Sequence, residues 1–402
     1  MTKPKLRFKD KNGNAYPEWS SKQFDEVFEI LQNNTFSRKE LNYSNKSVKN
    51  IHYGDILINY PLNLNCQICE IPNINQDIDL SKYKSSSYLQ NGDVIFADTA
   101  EDETVGKACE LYNVQEKMLS GLHTIPCRPK FNFASKYLGY FLNSNLYHNQ
   151  LLPLITGIKV SSVSKSSIKT TEIYYPCLEE QEKIAGFLSK VDELINECES
   201  EVKDLEEQKK GLMQKIFSQQ IRFKDSNNNP YPDWEEKYVN EVCDISTGKG
   251  NTQDKEDNGI YPFYVRSAII ERSNKYIFDG EAVLTVGDGV GTGKVYHYVN
   301  GKFNFHQRVY KMSNFNGILG KYFYYYFSTH FYDRVKKMTA KTSVDSVRLE
   351  MISKMTLLIP CQEEQEKIAK VLSKMDELIE EKKALLIDLQ QFKKGLLQQM
   401  FV

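Results

Sequence analysis

The sequence contains one segment twice, and this repeat constrains the fold more than any other feature. Residues 176–195 read PCLEEQEKIAGFLSKVDELI and residues 360–379 read PCQEEQEKIAKVLSKMDELI, which agree at sixteen of twenty positions. An upstream pair also matches, with LRFKDKNGNAYPEW at 6–19 and IRFKDSNNNPYPDW at 221–234. Chance does not produce this agreement, so the chain is one unit written twice, and repeat architectures have to be considered first.

The repeat divides the 402 residues into short strips, globular regions and helices. A chain of this length is expected to form two to three domains, and the division agrees with that number. The predicted segments are the first strip (1–19), region one (20–175), the first helix (176–220), the second strip (221–234), region two (235–359) and the second helix (360–402). The interiors of the two regions share little sequence beyond their pattern.

Both repeated helices carry a heptad pattern of apolar residues, which is typical of helices that pair. The predicted seam comprises Ile184, Leu188, Val191, Ile195, Val202 and Leu205 on the first helix and Ile368, Leu372, Met375, Ile379, Leu386 and Leu389 on the second. A single amphipathic helix could instead lie on a domain, but two copies with one seam favour a mutual antiparallel pair. The 38 residues from 180 to 217 would span roughly 57 Å, which makes the pair a spacer.

A second apolar stripe lies off this seam. It consists of Phe187 and Leu194 on the first helix and of Val371 and Leu378 on the second. These side chains could dock either the globular regions or another protein.

The two ends of the chain would recreate its internal junction if they were joined. The junction reads KIFSQQIRFKD, whereas the ends read QQMFV and MTKPKLRFKD. We therefore expect the termini to lie close together in a pseudo-two-fold molecule.

Both regions look α/β, with short strands and one or more helices each. Strands are predicted at 91–97 and 279–286, and helices at 135–149 and 317–337. The expected fold class is therefore α+β, with two globular α/β domains separated by two long antiparallel coiled-coil helices.

Composition indicates a cytoplasmic protein with no active site that we can identify. No apolar run approaches the ~18 residues of a membrane span, and the N-terminus lacks the apolar core of a secretory signal. Eight dispersed cysteines favour reduced thiols, and the single CxxC at 66–69 lacks the further ligands of a zinc site. The glycine-rich 287–294 departs from the phosphate-loop spacing, and the six histidines form no catalytic arrangement.

Net charge does not identify a partner, because 52 basic and 53 acidic residues leave −1. The charges are unevenly placed, with −5 on 176–220 and +3 on 235–359. Glycine turns and strings of Lys, Ser and Thr in both regions suit contact with phosphates, although each loop taken alone is an ordinary solvated loop.

The whole pattern resembles a known family. Two dissimilar regions alternate with two near-identical helices carrying P-C-x-E-E-Q-E-K-I-A-x-x-L-S-x-x-D-E-L-I, and Trp19 and Trp234 mark the entrance of each region. This resembles the specificity subunit, HsdS, of type I restriction-modification systems, over essentially the whole chain. The resemblance implies two target recognition domains, 20–175 and 235–359, that each read one half of a bipartite site in double-stranded DNA.

The resemblance also implies partners. The helices would set the gap between the half-sites and hold two methyltransferase subunits, and motor-nuclease subunits would join to cleave unmodified DNA. S-adenosylmethionine, ATP and magnesium would belong to those partners, and this chain would be a non-catalytic subunit with no metal or cofactor. The competing hypotheses are a coiled-coil scaffold without DNA recognition and an autonomous enzyme with an unfamiliar site.

We expect twelve residues at the DNA surface. One reason is that residues 160, 162 and 163 are identical to residues 344, 346 and 347, which lie 184 residues later, the same distance that separates the two repeated helices. They are Lys107, Lys159, Ser161, Ser162 and Lys165 in region one, and Lys294, Gln307, Arg308, Lys341, Thr342, Ser343 and Arg348 in region two.

Overall fold

The computed structural model describes residues 4–44, 47–157, 159–289, 291–338 and 346–401. The chain divides into two compact units. Unit 1 comprises Met1–Cys198 and Leu385–Val402, and unit 2 comprises Glu199–Ala384. Each unit therefore holds one strip, one globular region and part of both repeated helices. No helix in the described ranges is long and apolar enough to cross a membrane.

The first half of the chain folds into short strands and helices that end in one long helix. The strands are β1 (Ser20–Gln23), β2 (Phe28–Ile30), β3 (Leu41–Asn42), β4 (Lys49–Ile51), β5 (Asn63–Asn65), β6 (Asn73–Ile74), β7 (Val94–Ala97), β8 (Thr99–Ala100), β9 (Ala108–Tyr112), β10 (Met118–Ser120), β11 (Thr124–Pro129), β12 (Ser161–Ser162) and β13 (Glu172–Tyr175). The helices are α1 (Phe24–Val27), α2 (Tyr53–Ile58), α3 (Tyr137–Phe141), α4 (Asn145–Leu151), α5 (Lys165–Ile168) and α6 (Leu178–Phe217).

The second half follows the same plan with longer strands. The strands are β14 (Glu235–Tyr238), β15 (Asp244–Thr247), β16 (Tyr261–Tyr264), β17 (Ile270–Ser273), β18 (Phe278–Val286), β19 (Tyr296–Phe305), β20 (Val309–Ser313) and β21 (Thr356–Ile359). The helices are α7 (Val239–Val242), α8 (Gly320–Met338), α9 (Leu349–Ser353) and α10 (Gln362–Met400).

The divergent regions share a strand order that their sequences do not show. In unit 1 the main sheet runs β2-β11-β7-β9-β5, and in unit 2 it runs β15-β20-β18-β19-β16-β17. The first four strands correspond one to one. In both units a separate antiparallel pair, β1 with β13 and β14 with β21, closes the region. The repeat therefore extends through the globular regions as topology.

The strand predictions are confirmed as β7 and β18, but one helix prediction is only half right. The predicted helix at 317–337 is α8, whereas 135–149 contains two short helices, α3 and α4. Ser144 separates them because its side chain accepts a hydrogen bond from the Tyr147 amide and caps the N-terminus of α4. The apolar spacing did not reveal this interruption.

The repeated motif at the start of each long helix is explained by a buried ion pair. In unit 2 the Arg222 guanidinium donates to both carboxylate oxygens of Glu364, at 3.3 and 2.8 Å. In unit 1 Arg7 donates in the same way to Glu180, at 3.0 and 2.7 Å. Both carboxylates are completely buried. Each pair ties a strip to the start of a helix, which accounts for the repetition of RFKD and of EE in the sequence.

The glutamine that follows each buried glutamate links the helix to its globular region. Gln181 Oε1 accepts the Ala134 amide at 3.0 Å, and Gln365 Oε1 accepts the Leu319 amide at 2.7 Å. The Nε2 of each donates to the proline carbonyl five residues earlier, at 2.9 Å. Both side chains are buried, so their polar groups are satisfied where water cannot reach.

The two long helices pack against each other in antiparallel orientation. Within unit 2, Lys382 of α10 contacts Glu201 of α6 at 2.5 Å, and Asp376, which lies earlier in α10, contacts Lys209, which lies later in α6. The buried seam side chains are Ile184, Leu188, Val191, Ile195, Ile368, Leu372 and Ile379, and the half-buried ones are Val202, Leu205, Met375, Leu386 and Leu389. The predicted seam is thus the face that turns away from solvent.

A cluster of four polar side chains fixes each globular region to the helix pair. In unit 1 the Tyr140 hydroxyl donates to Asp192 at 2.7 Å and lies 3.3 Å from the Ser189 hydroxyl, and Lys393 pairs with Asp192 at 2.5 Å. Unit 2 repeats the cluster with other numbers. Its members are Tyr325, Asp376, Ser373 and Lys209. Lys209 and Lys393, which occupy the same position in the two repeated helices, therefore have the same structural role.

The chain ends recreate the internal junction, as the sequence predicts. The Leu6 amide donates to the Gln399 carbonyl at 3.0 Å, and the Ile221 amide donates to the Lys215 carbonyl at 3.1 Å, which is the same bond in the other copy. Phe401 lies completely buried among aromatic rings of unit 1. The first strip and the end of α10 are thus held as the internal junction is held.

A circular permutant that opens the chain after Ser218 and joins the present ends by a short linker is expected to fold. The reason is that both junctions use the same backbone bond, so the permutant exchanges a covalent link for an equivalent one. The measurement is circular dichroism with thermal unfolding beside the parent chain. A permutant opened after Val283, inside β18, is the control and should be insoluble. Insolubility of the Ser218 permutant as well would contradict the prediction.

Candidate nucleic-acid interface

In unit 1 the predicted DNA-contacting loops meet beyond the end of β7. Strand β8 pairs with β12, which places Ser162 opposite Thr99. The Val163 amide donates to the Asp98 carbonyl at 2.9 Å, and Lys165 Nζ donates to Asn33 Oδ1 at 3.0 Å. We call this surface, formed by residues 98–99, 121–123 and 161–165, the loop edge of unit 1.

His123 stands at the centre of this edge, directly before β11. Its Nδ1 lies 3.4 Å from the Asp98 carboxylate and 3.3 Å from the Thr99 hydroxyl. Its ring contacts the Tyr53 ring edge-on, with centroids 5.2 Å apart. The edge thus presents hydroxyl, imidazole, amide and ammonium groups, which are suitable donors and acceptors for DNA.

Unit 2 builds the same edge with the same backbone bonds. The Val347 amide donates to the Gly287 carbonyl at 2.7 Å, as Val163 does to Asp98. The Gly287 amide in turn donates to the Arg308 carbonyl at 2.7 Å, as Asp98 does to His123 at 3.1 Å. The loop edge of unit 2 consists of residues 287–288, 306–308 and 346–348. Positions 98, 99, 123, 162 and 163 therefore correspond to 287, 288, 308, 346 and 347.

The side chains at the loop edge of unit 2 differ from those of unit 1. Arg308 is 64% exposed, and Gln307 Nε2 donates to Asn251 Oδ1 at 2.7 Å. His306 Nδ1 accepts the Arg308 amide at 3.0 Å. Burial, with a smaller contribution from the nearby Arg266 charge, lowers the pKa of His306, which favours the neutral ring that this acceptor role requires.

The other predicted contacts differ in exposure. Lys159 and Arg348 are exposed, and Arg348 immediately precedes α9. Lys294 is also exposed, and its ammonium lies 5.3 Å from the centre of the Tyr332 ring. Ser161 and Ser162 are half-buried in β12. The predicted contacts Lys341, Thr342 and Ser343 lie outside the described residues.

The prediction for Lys107 is not supported by its position. Its side chain is half-buried, and its ammonium donates to the carbonyls of Leu57 and Tyr60, at 3.0 and 3.4 Å, near the end of α2. Burial lowers the pKa of this lysine. Lys107 thus holds the backbone of its own unit, and two of its three N–H donors are occupied.

One residue of the predicted partner surface is also covered by the chain itself. Phe187 is half-buried, and its ring packs edge-on against Phe8 of the first strip with centroids 5.8 Å apart. Val371, its counterpart, is half-buried. Leu194 and Leu378 remain 52% and 40% exposed. Of the four predicted side chains, these two are open to a partner.

The sequence did not identify several residues that lie in the loop edges or beside them. Asn33, Thr99 and His123 in unit 1 and Arg266 in unit 2 lie in the segments that lack sequence repetition. The helix offset of 184 reaches residues 160–163 but stops there, so it could not extend to these positions. Among the described residues, no three His, Cys, Asp or Glu side chains are grouped as a metal site would need.

Comparison with known proteins identifies the family. The family described as "Type I restriction modification DNA specificity domain" matches residues 16–207 and 231–391, one match in each copy of the repeat. The chain belongs to this family. It thus contains two DNA specificity domains, which supports DNA recognition over the hypothesis of a scaffold without it.

Curated specificity subunits match along much of the chain. A putative type I restriction enzyme MjaX specificity subunit of Methanocaldococcus jannaschii is 23% identical over an alignment that covers 92% of this chain and 90% of that protein. The MjaVIII specificity subunit of the same organism is 28% identical over 61% of this chain and 64% of its own length.

Solved structures share the fold of this specificity-subunit chain. The S subunit of a type I restriction-modification system from M. genitalium matches with a TM-score of 0.62 at 14% identity, covering 100% of this chain and 99% of that one. A chain of a type I R-M system from a study of complex assembly matches with a TM-score of 0.56 at 16% identity, covering 96% and 98%. The predicted arrangement of two sheet-containing domains with long helices is confirmed.

Proposed function

We propose that this chain selects the DNA target of a type I restriction-modification complex by reading one half of a bipartite site with each unit. The observation that carries the proposal is the duplicated loop edge. Both units hold the same backbone frame, whereas the side chains on it differ, as between Thr99 and Asp288 or His123 and Arg308. One frame with two sets of donors and acceptors suits a protein that reads two different short sequences.

The length of the two long helices supports the proposal that they set the gap between the half-sites. Helix α6 is uninterrupted over 40 residues, about 60 Å, and its residues belong to unit 1 up to Cys198 and to unit 2 from Glu199. A continuous helix pair resists bending far more than a loop would. We therefore assign to α6 and α10 the role of setting the number of unread base pairs.

The partners follow from the same proposal. Leu194 and Leu378 occupy the same position in the two copies and are both exposed, which fits two copies of one methyltransferase subunit. Motor-nuclease subunits would join this complex in the cytoplasm. S-adenosylmethionine, ATP and magnesium would be bound by the partners, and this chain would contribute recognition without catalysis.

Methylation sequencing tests the proposal. In a host that co-expresses this chain with its methyltransferase subunit, we expect methylated bases in one split motif and in no other context. A host without this chain is the control and should lack the motif. Methylation without a split motif, or with the motif independent of this chain, would contradict the proposed function. Turnover of S-adenosylmethionine on DNA by the purified chain would favour the enzyme hypothesis instead.

A further inference from the structure

We propose that unit 2 reads guanine in its half-site through Arg266 and Arg308, which Asp288 holds in position, and that unit 1 reads its half-site without an arginine at the corresponding places. The proposal rests on the proposed function and specifies the base chemistry of one half-site. It concerns three side chains at the loop edge of unit 2 that form one charged group.

The carboxylate of Asp288 lies between the two guanidinium groups. Arg266 Nη1 is 3.7 Å from Asp288 Oδ1, and Arg308 Nε is 3.6 Å from Asp288 Oδ2. These distances exceed those of hydrogen bonds, so the carboxylate attracts both groups without occupying their donors. Asp288 Oδ1 is also a buried atom that has no hydrogen-bond partner within the described residues. The guanidinium groups are therefore oriented and still free to bind a ligand.

Exposure separates the two roles. The side chains of Arg308 and Arg266 are 64% and 50% exposed, whereas that of Asp288 is 27% exposed. The arginines thus face the solvent, where DNA would bind, and the aspartate lies beneath them. This makes Asp288 a positioning residue and the arginines the reading residues.

The charge balance favours a base over a phosphate. Two adjacent guanidinium groups would form a strong anion site, but the carboxylate between them reduces the local charge and repels an approaching phosphate. The acceptors on a base edge carry no net charge, so the carboxylate repels them much less. Guanine presents two acceptors, N7 and O6, side by side in the major groove, and this geometry matches the fork of an arginine.

The corresponding positions of unit 1 carry no cationic fork. Ser120 pairs with Ile51, and the Gly121 amide donates to the Ile51 carbonyl at 2.8 Å, just as the His306 amide donates to the Tyr264 carbonyl at 2.9 Å. Ile51 and Tyr264 therefore occupy equivalent positions. Tyr53 and Arg266, which each lie two residues later, are equivalent as well. Unit 1 therefore presents Tyr53, His123 and Thr99 where unit 2 presents Arg266, Arg308 and Asp288.

The two units thus share one backbone frame at their loop edges but carry different side chains at three corresponding positions. Tyrosine, histidine and threonine form single hydrogen bonds or apolar contacts, which suit A·T pairs as well as G·C pairs. A pair of arginines, in contrast, favours the two adjacent acceptors of guanine and does not accept A·T and G·C pairs equally. The two half-sites should therefore differ in their demand for guanine, with the demand in the half read by unit 2.

The test uses the full complex with its methyltransferase subunits and a panel of duplexes. Once methylation sequencing has given the motif, each base pair of both halves is replaced in turn, and dissociation constants are measured. For R308A and R266A we expect affinity for the intact motif to fall roughly 5- to 150-fold. For duplexes in which the G·C pair read by the substituted arginine has already been replaced, the variant complex and the parent complex should have the same affinity. Both variants should affect the same half.

Three further variants separate base reading from positioning and from general charge. D288N keeps the shape and both arginines, so discrimination of guanine should weaken while the salt dependence of binding does not decrease. K302A removes an equal charge from an exposed position of unit 2, on β19 opposite Asp279 and far from the β18–β19 turn, and should leave discrimination unchanged. R308Q, which retains most of the side chain, should behave as R308A does.

Three outcomes would overturn the inference. The first is uniform weakening of all duplexes by R308A with a salt slope lower by about 1, which is the signature of a phosphate contact. The second is unchanged binding by both arginine variants. The third is an effect confined to an A·T pair. A parent complex that binds all duplexes alike is a different result, because it would refute the proposed function before the variants are compared.

Discussion

Replacing Arg222 by alanine is expected to lower the free energy of unfolding of unit 2 by about 3 to 5 kcal/mol. The change leaves the Glu364 carboxylate completely buried with the Trp234 indole N–H, 3.0 Å away, as its remaining donor in place of the guanidinium fork. An uncompensated buried charge is among the most destabilising defects in a protein. The second strip, which Arg222 attaches to α10, should detach first.

The measurement can be confined to one unit because the chain has two tryptophans, Trp19 in unit 1 and Trp234 in unit 2. In a Trp19→Phe background, urea unfolding followed by tryptophan fluorescence reports on unit 2. Lys237→Ala is the matched control, since its ion pair with Glu235 is exposed and its loss should change stability by less than about 0.5 kcal/mol. An Arg222→Ala variant as stable as this control would refute the assigned role.

Inserting one heptad into each long helix is expected to abolish methylation of the original target and to create a new target with the same halves and a wider gap. Seven residues add about 10.5 Å to each helix, which corresponds to about three base pairs at ~3.4 Å each. The insertions belong at the contact of Glu201 with Lys382, where α6 and α10 face each other. A heptad preserves the seam, so the helices should still pair.

The control for this experiment is the same heptad placed in α6 alone. It shifts the later seam residues of α6 past their partners on α10 and should destabilise the chain instead of widening the gap. Methylation sequencing reads both results. A doubly lengthened chain that still methylates the original motif would show that the helices do not set the gap.

Much of the fold could be predicted from the sequence because the repeat is nearly identical where packing is shared. The seam and the antiparallel pair follow from helices in which residues such as Ile184 and Ile368 recur at one offset, and the closeness of the ends follows once the repeated strips at 6–19 and 221–234 are added. The matching sheets could not be predicted, because strand order is fixed by long-range pairing and not by the residues of one strand. The break between α3 and α4 depends on one capping hydroxyl, Ser144.

The candidate site could be predicted only in part, for a related reason. Arg308 and Lys165 are exposed, and composition can suggest such residues. Lys107 shows the limit, because whether a lysine faces solvent or binds a carbonyl depends on the neighbouring backbone, here that of Leu57 and Tyr60. Arg266 is brought to the loop edge by β16, and neither a motif nor an offset marks it.

The frame of the two loop edges is made of main-chain hydrogen bonds, from Val163 to Asp98 and from Val347 to Gly287. Such bonds do not depend on which side chains the loops carry. Substitutions at positions 99, 123, 288 and 308 should therefore alter the preferred DNA sequence with little change in the free energy of unfolding. A lineage of such proteins could then acquire new targets by a few point changes, while the scaffold that assembles the complex stays as it is.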